Sequence, residues 1–274
     1  NQGIVAEFQK GRFDKYSNFA RIGEGSLGGK GRGLAFLDVM LKSHPELNTY
    51  RNVHIGIPKT LVLCTDIFDE FMDNNHLHEL AMSDQTDEII LENFLKASLP
   101  PRLLENLTAF VDVVQKPIAI RSSSLLEDAH YQPFAGIYST YMIPYNEHAE
   151  DMLIMLKSAI KAVYASAFFQ QSKAYMQATS NLIDQEKMAI ILEEVCGTAF
   201  DERFYPTFSG VARSLNYYPI GEEEAGDGIA NVALGLGKYI VDGGTTLRFS
   251  PKHPKHLLQM SSLNYALSET QTHF

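Results

Sequence analysis

The sequence predicts a mixed fold, either α+β or open α/β, from two observations. Short apolar runs rich in β-branched residues, such as residues 118–120 and 188–195, indicate strands. Longer segments with apolar residues at helical spacing, such as residues 30–43, lie between such runs. Because strands and helices are mixed without strict alternation, the pattern favours this class over a barrel.

The first 116 residues are predicted to be mainly helical. Two short strands flank Pro58, and Thr65 and Asp66 are placed to cap the helix that follows them. In chain order the predicted elements are a helix over 30–43, strands over 53–57 and 61–64, and helices that begin near 67, 84 and 101.

The composition changes at Lys116-Pro117, which is the predicted internal boundary. The elements predicted after it are strands over 118–120, 137–143, 188–195 and 208–214, with one long helix over 147–178 and an apolar run over 229–236 that ends in glycines. We therefore expect the chain to divide into an N-terminal part over residues 1–116, a second part over residues 117–250, and a C-terminal connection over residues 251–274.

Charge and cysteine content exclude several classes of protein. The chain of 274 residues has 23 Lys and Arg against 33 Asp and Glu, and this net charge of −10 disfavours a nucleic-acid-binding surface while allowing a small basic pocket for a phosphorylated ligand. Cys64 and Cys196 lie too far apart for a clustered metal site or a disulfide framework, so a cytoplasmic location is expected. No apolar run approaches ~18 residues, and no membrane partner is expected.

A glycine-rich loop over residues 23–31 is the strongest local feature. Backbone N–H groups without side chains can surround a phosphate, and the start of the following helix adds its positive end. Lys30 adds a full positive charge at the same place. The loop is therefore a candidate phosphate-binding site.

Three standard motifs fit this loop only in part. Residues 23–28 match the dinucleotide fingerprint by letters, but no strand is predicted before them. The Walker loop fails at Glu24 and at Gly31, and a nucleophile elbow around Ser26 fails at the same Glu24. The remaining alternative is a flexible entry loop with Lys30 on the surface.

Arg121 marks the second candidate site. It ends a short apolar strand and precedes the serines at 122–124, so its planar guanidinium can bind phosphate oxygens bidentately among hydroxyl and backbone donors. The structural alternative is a salt bridge from Arg121 to Glu127 or Asp128 that closes a loop.

Taken together, a series of segments resembles a known family, the nucleotide-binding domain of phosphoenolpyruvate synthase and pyruvate phosphate dikinase. The resemblance covers about residues 23–251 and rests on the order of the segments. They are Gly-Gly-Lys at 28–30, Ile-Pro at 57–58, the segment around Arg-Ser-Ser-Ser at 119–128, Phe-Ala-Gly at 134–136, and the segments at 189–195, 208–212, 235–237 and 241–243.

The resemblance implies an ATP-grasp-like fold in which two lobes hold ATP. It implies that Lys30 and Arg121 grip the phosphates and carry the catalysis, and that the motif glycines Gly28 and Gly29 also bind the nucleotide. This chain departs from the family at Gly31, where Asn is common.

The same resemblance assigns further nucleotide contacts. It implies that Gly136 and Thr140 touch the nucleotide, and that Glu193 lies near adenine at a position where the family usually has Gln. Lys238 stands where an acidic residue is frequent.

The implied function is an ATP-binding module of a phosphotransferase. It would pass a phosphoryl group from ATP to a histidine on a separate domain, for phosphoenolpyruvate formation from pyruvate. The implied cofactors are ATP and Mg²⁺, with metal ligands beyond Phe274, and the implied partners are a phosphohistidine domain and a pyruvate-binding domain of the same longer polypeptide. The chain, which begins at Asn1 without Met, is expected to be an incomplete module.

Two alternatives stay open on the sequence. One is a regulatory domain that binds ATP without phosphotransfer. The other is a related dikinase that acts on an antibiotic or a glucan.

Overall fold

The computed structural model describes residues 5–13, 17–124, 138–178 and 187–272. Residues that lie close together in space group into two compact units, Asn1–Val195 and Cys196–Phe274. The predicted boundary at Lys116-Pro117 lies within the first unit, where strands from both sides of it pair in one sheet.

The described residues form ten strands and ten helices, numbered in chain order. The strands are β1 Phe19–Ile22, β2 Thr60–Leu63, β3 Ile118–Ser124, β4 Thr140–Ile143, β5 Met188–Glu194, β6 Thr198–Phe200, β7 Arg203–Tyr205, β8 Phe208–Arg213, β9 Ile229–Leu234 and β10 Leu247–Phe249. The helices are α1 Lys10–Phe13, α2 Gly28–Ser43, α3 Thr65–Asn74, α4 His78–Met82, α5 Asp87–Lys96, α6 Pro101–Val113, α7 Ala149–Ser166, α8 Gln170–Ala178, α9 Lys238–Val241 and α10 Leu263–Ser268. This mixture confirms the predicted α+β class.

A five-stranded mixed sheet organises the first unit, with strand order β1-β2-β5-β3-β4. Only β1 and β2 run parallel, and the other neighbours are antiparallel. The middle strand β5 is buried along most of its length, which explains its continuous apolar sequence.

One face of this sheet, the core face, carries the main hydrophobic core. Side chains that alternate along the strands, such as Leu61, Ile120 and Ile190, pack in one cluster with residues of α3, α5, α6 and α7. Tyr164 of α7 lies at its centre, with its ring centroid 5.1 Å from that of Phe68. The Tyr164 hydroxyl is buried without a hydrogen-bond partner among the described residues.

The opposite face, the α2 face, has a smaller apolar cluster formed by Phe19, Val62, Ala189 and Ile191. Residues of α2 pack against this cluster and leave the rest of the face to polar side chains. The glycine-rich start of α2 therefore lies against the strands that carry the candidate site.

The structure corrects several predicted elements. A strand, β1, does precede the glycine-rich loop; it is only four residues long, with Arg21 among its apolar residues. Residues 53–57 form no strand, since Val53 and Ile55 are exposed. The helix predicted over 147–178 is divided into α7 and α8.

The second unit contains the three-stranded antiparallel sheet β10-β9-β8 and the hairpin β6-β7. A cavity of about 500 Å³ lies within this unit on the side of Arg213 and Arg248. Few of its apolar residues are fully covered; Ala230 and Ala233 of β9 are among the buried ones.

The two cysteines have different environments. Cys64 follows β2 and is fully buried, and burial raises the pKa of its thiol to about 12. Cys196, the first residue of the second unit, is exposed.

Within the described residues, one stretch, Ala149–Ala178, is long and apolar enough to cross a membrane by composition. Its most apolar window is 61% buried inside the protein, as in the core helix of a globular domain.

Candidate functional site

Strand register places three of the predicted site residues on the α2 face. Arg121 of β3 pairs with Thr140 of β4, and Glu193 of β5 pairs with Ala119, two residues before Arg121. Because side chains alternate along a strand, Arg121, Thr140 and Glu193 project to the same side of the sheet. They therefore form one polar patch beside the apolar cluster under α2.

Arg121 and Glu193 form an ion pair on this patch. The Arg121 Nη1 atom lies 3.6 Å from Glu193 Oε2, and the two side chains are 44% and 15% exposed. Burial raises the pKa of the Glu193 carboxyl, and the charge of Arg121 offsets this effect only in part. The guanidinium is thus partly neutralised by a carboxylate that is more easily protonated than an ordinary Glu.

Lys30 reaches the same part of the sheet from the first turn of α2. Its Nζ donates a hydrogen bond of 3.2 Å to the backbone oxygen of Ser122. That carbonyl belongs to the residue after Arg121, although 91 positions (121 − 30) separate the two cations in sequence. The structure therefore brings Lys30 and Arg121 together, and their roles toward phosphate stay predictions.

Gly28 and Gly29 open α2 in a buried position against the end of β3. Gly28 has a φ of +68°, and a Cβ at this position would lie 1.7 Å from the backbone oxygen of Ser123. The Ser123 hydroxyl donates to the oxygen of Leu27 at 2.8 Å and accepts from the N–H of Gly31 at 3.0 Å. Close approach of helix and strand thus requires glycine at 28, whatever the ligand.

The serines after Arg121 are buried rather than grouped around a ligand. Ser123 uses its hydroxyl on α2, while Ser122 and Ser124 alternate to the core face. The expectation that all three serines would offer hydroxyl groups beside Arg121 is therefore wrong for the side chains of 122 and 124.

The first half of the glycine-rich loop turns away from the patch and onto the start of α3. The N–H groups of Glu24 and Gly25 donate to the Asp66 carboxylate at 3.1 and 2.9 Å, and the N–H of Ser26 donates to Thr65 Oγ1 at 2.9 Å. The helix α3 has no side-chain cap. Thr65 and Asp66 were expected to cap this helix, and they bind the loop instead.

The structure describes only some of the other residues that the sequence connected with the site. Thr140 lies beside Arg121, and its register position could only be known once β4 was paired. Gly136, Glu127 and Asp128 lie outside the described residues.

The ion pair of Arg121 with Glu193 was missed by sequence reasoning, because a cross-strand offset of two residues is visible only in the sheet register.

Metal-ligating side chains are not clustered among the described residues. No group of three or more His, Cys, Asp and Glu side chains in this part of the chain is placed to hold a metal ion. The magnesium ligands were expected outside the chain, and that expectation stays a prediction.

Comparison with known proteins identifies the family. The family described as "Pyruvate phosphate dikinase, AMP/ATP-binding domain" matches residues 24–267. The chain belongs to this family. The resemblance inferred from the ordered motifs is thereby confirmed, and ATP is supported as the ligand of the domain.

Two relatives of this pyruvate phosphate dikinase-type domain are similar over part of their length. A Bacillus subtilis (strain 168) protein named "Uncharacterized phosphotransferase YvkC" is 25% identical over 195 residues, which are 70% of this chain and 21% of that protein. The phosphoenolpyruvate synthase of Aeropyrum pernix is 27% identical over 172 residues, which are 60% of this chain and 19% of that protein. The chain thus spans about a fifth of the length of these curated relatives, and the family and its relatives support a phosphotransferase at the level of family.

Proposed function

We propose that this chain is the ATP-binding module of a phosphotransferase that passes a phosphoryl group from ATP to a histidine on a separate domain. The phosphohistidine would then transfer its phosphoryl group to pyruvate, and the product would be phosphoenolpyruvate. The meeting of Lys30 and Arg121 around Ser122, in a chain of the AMP/ATP-binding family, carries the proposal.

Each cation has a defined task in this proposal. Transfer breaks a P–O bond of ATP, whose electron pair stays with the departing nucleotide, and forms an N–P bond to the imidazole, which gives up a proton. Negative charge spreads over the phosphate oxygens during the transfer. The Lys30 ammonium offers a compact charge, and the Arg121 guanidinium offers two parallel donors. Together they stabilise that charge on the α2 face.

The other predicted contacts keep subordinate roles. Thr140 lies next to Arg121 and is proposed to donate its hydroxyl to the nucleotide. Gly136 is proposed to allow the backbone to approach the nucleotide. Glu193 is proposed to lie near adenine, and its ion pair means that a phosphate on Arg121 competes with this carboxylate.

Three further elements belong to the proposal. The ATP-grasp-like arrangement of two lobes follows from the family resemblance. Magnesium would neutralise phosphate charge, and its ligands are proposed to lie outside this chain, as are the phosphohistidine and pyruvate-binding domains.

Radiolabelled ATP tests this proposal in the full-length protein that carries the chain. We expect an acid-labile, base-stable label on a histidine, and we expect pyruvate to remove it as phosphoenolpyruvate. Lys30→Met serves as the matched variant with reduced labelling. ATP binding without any label would favour the regulatory alternative, and label that pyruvate cannot remove would favour another acceptor, such as an antibiotic or a glucan.

A further inference from the structure

The corner formed by Thr65 and Asp66 has an unusual set of partners. Both residues lie in the first turn of α3, directly after its N-cap residue Cys64. Here three consecutive N–H groups of another segment, those of Glu24, Gly25 and Ser26, donate to these two side chains. The N–H of Thr65 completes the contact by donating to the oxygen of Ser26 at 3.0 Å.

Such a run of N–H groups is the arrangement that surrounds an anion in a phosphate-binding loop. In this protein the anion is internal, since the Asp66 carboxylate accepts two of the three bonds. Arg102 of α6 lies 3.3 Å from the same carboxylate, and its positive charge favours the ionised form of Asp66. Burial by itself would raise the pKa of Asp66, but the two backbone bonds and Arg102 outweigh it and hold the pKa below its ordinary value.

The glycines of this loop are needed for the contact with α3. A Cβ on Gly23 would lie 2.4 Å from Asp66 Oδ1, and a Cβ on Gly25 would lie 2.6 Å from Thr65 Oγ1. The glycine pattern that resembles a dinucleotide fingerprint is therefore explained by packing against Thr65 and Asp66.

The same contact fixes the beginning of α2. The Ser26 hydroxyl accepts a hydrogen bond of 3.1 Å from the N–H of Gly28, and Gly28 is locked on its other side against Ser123. Lys30 follows two residues later in the first turn. The position of its ammonium thus depends on a loop that is held at both ends.

We infer that Asp66, assisted by Thr65, is a positioning residue for nucleotide binding, which holds the loop at 23–26 with a built-in carboxylate and thereby places Lys30. The inference rests on the proposed function. It implies that the phosphates of ATP meet Lys30 and Arg121, and not the N–H groups of Glu24 and Gly25.

Asp66→Asn tests the inference, with Asp69→Asn as the matched control on the same helix, where Asp69 pairs with Lys187 on the surface. The first readout is hydrogen exchange of the Glu24 and Gly25 amides in the full chain. We expect exchange to be about tenfold faster in D66N, a loss of the order of one charge-assisted hydrogen bond. We expect the strand amides of β2 and β5, and all amides of D69N, to keep the wild-type rates.

The second readout is the affinity for ATP and for adenosine, measured by calorimetry. Because adenosine has no phosphate, D66N should weaken ATP binding about tenfold and leave adenosine binding unchanged. Equal weakening of both ligands, or of neither, would overturn the inference while leaving the proposed function intact. Failure of the wild-type protein to bind ATP would contradict the proposed function, and with it the nucleotide role of Asp66.

A second variant covers the case in which D66N fails to fold. Thr65→Val keeps the shape of the side chain and removes the acceptor for the Ser26 N–H. We expect faster exchange of the Ser26 amide and a loss of ATP affinity of about threefold, again without an effect on adenosine. An unchanged ATP affinity together with faster exchange would overturn the link between the loop and Lys30.

Discussion

Arg121 and Glu193 lie 3.6 Å apart on neighbouring strands of the sheet, offset by two residues of register on the α2 face. The cation proposed to bind phosphate is therefore already paired with a carboxylate. A phosphate that binds Arg121 would share the guanidinium with Glu193, so we expect Glu193 to limit the affinity for ATP.

Glu193→Gln should strengthen ATP binding at neutral pH by about three- to tenfold, because it removes a negative charge beside the phosphate. Calorimetric titration measures the effect. Glu194→Gln is the control, since Glu194 alternates to the other side of the sheet and pairs with Lys116. Equal gains in both variants would contradict the proposed role of Glu193.

The raised pKa of Glu193 predicts how ATP affinity and stability depend on pH in the wild-type protein, and E193Q should reduce both dependences. In the wild-type protein, protonation of Glu193 at lower pH frees Arg121 for phosphate, so ATP affinity should rise as the pH falls. The free energy of unfolding should also rise as the pH falls. A raised carboxyl pKa favours the folded state below the ordinary value of 4.5, and this contribution to stability is lost as the pH rises through the folded-state pKa of Glu193. Both dependences should be flatter in E193Q than in E194Q.

Arg121→Ala should reduce labelling of the histidine by about 10²–10³ in rate, the usual cost of losing one charge-stabilising group in the transition state. Its effect on the free energy of unfolding should be smaller than this loss of rate, which corresponds to about 2.7–4 kcal/mol, because the Arg121 side chain is 44% exposed, although the mostly buried Glu193 loses its partner. The assay compares labelling rates with urea denaturation. Lys116→Ala is the control cation on the other side of the sheet, and an unchanged labelling rate in R121A would leave Arg121 with only a structural ion pair.

Gly28→Ala should destabilise the protein by about 3 kcal/mol or more, because it combines a positive φ with a Cβ 1.7 Å from the Ser123 oxygen. Gly33→Ala in the same helix has no atom within 4 Å of the new methyl group and should stabilise by up to about 1 kcal/mol. Urea denaturation of both variants measures the contrast. Similar stabilities would show that α2 does not require close contact with β3.

Tyr164→Phe should increase the free energy of unfolding by about 1 kcal/mol, because it removes a buried hydroxyl without a partner among the described residues. Burial raises the pKa of Tyr164 above its ordinary value of 10.0, so the wild-type protein should lose stability as the pH rises past that value. The advantage of Y164F should therefore widen at alkaline pH in thermal denaturation. Tyr50→Phe, at an exposed position, should show neither effect.

Much of the site was predictable because each candidate residue lies next to a strong local pattern. Lys30 follows two glycines before an amphipathic helix, and Arg121 ends an apolar strand. The order of these motifs along the chain is sufficient to indicate the family. Local patterns of this kind survive folding because they depend on neighbours in sequence.

The parts that were missed depend on neighbours in space. The use of Gly23 and Gly25 to approach Asp66 requires the loop to lie on α3, some 40 residues later in the chain. The strand β1 is too short to show a periodic pattern, and it is stabilised by its parallel pairing with β2. Likewise the ion pair of Arg121 with Glu193 exists only through the register of β3 and β5.

The contrast between the two cysteines makes the protein suitable for site-selective chemistry. Cys196 is exposed at the first residue of the second unit, whereas the buried Cys64 thiol, with a pKa of about 12, gives almost no reactive thiolate at neutral pH. We therefore expect a maleimide dye to attach at Cys196 without any mutation and to give a fluorescent reporter at the point of the sequence where the second unit begins. We expect a second dye to attach at Cys64 when the sheet around β2 opens, so the number of dyes per chain would report the opened fraction of the protein.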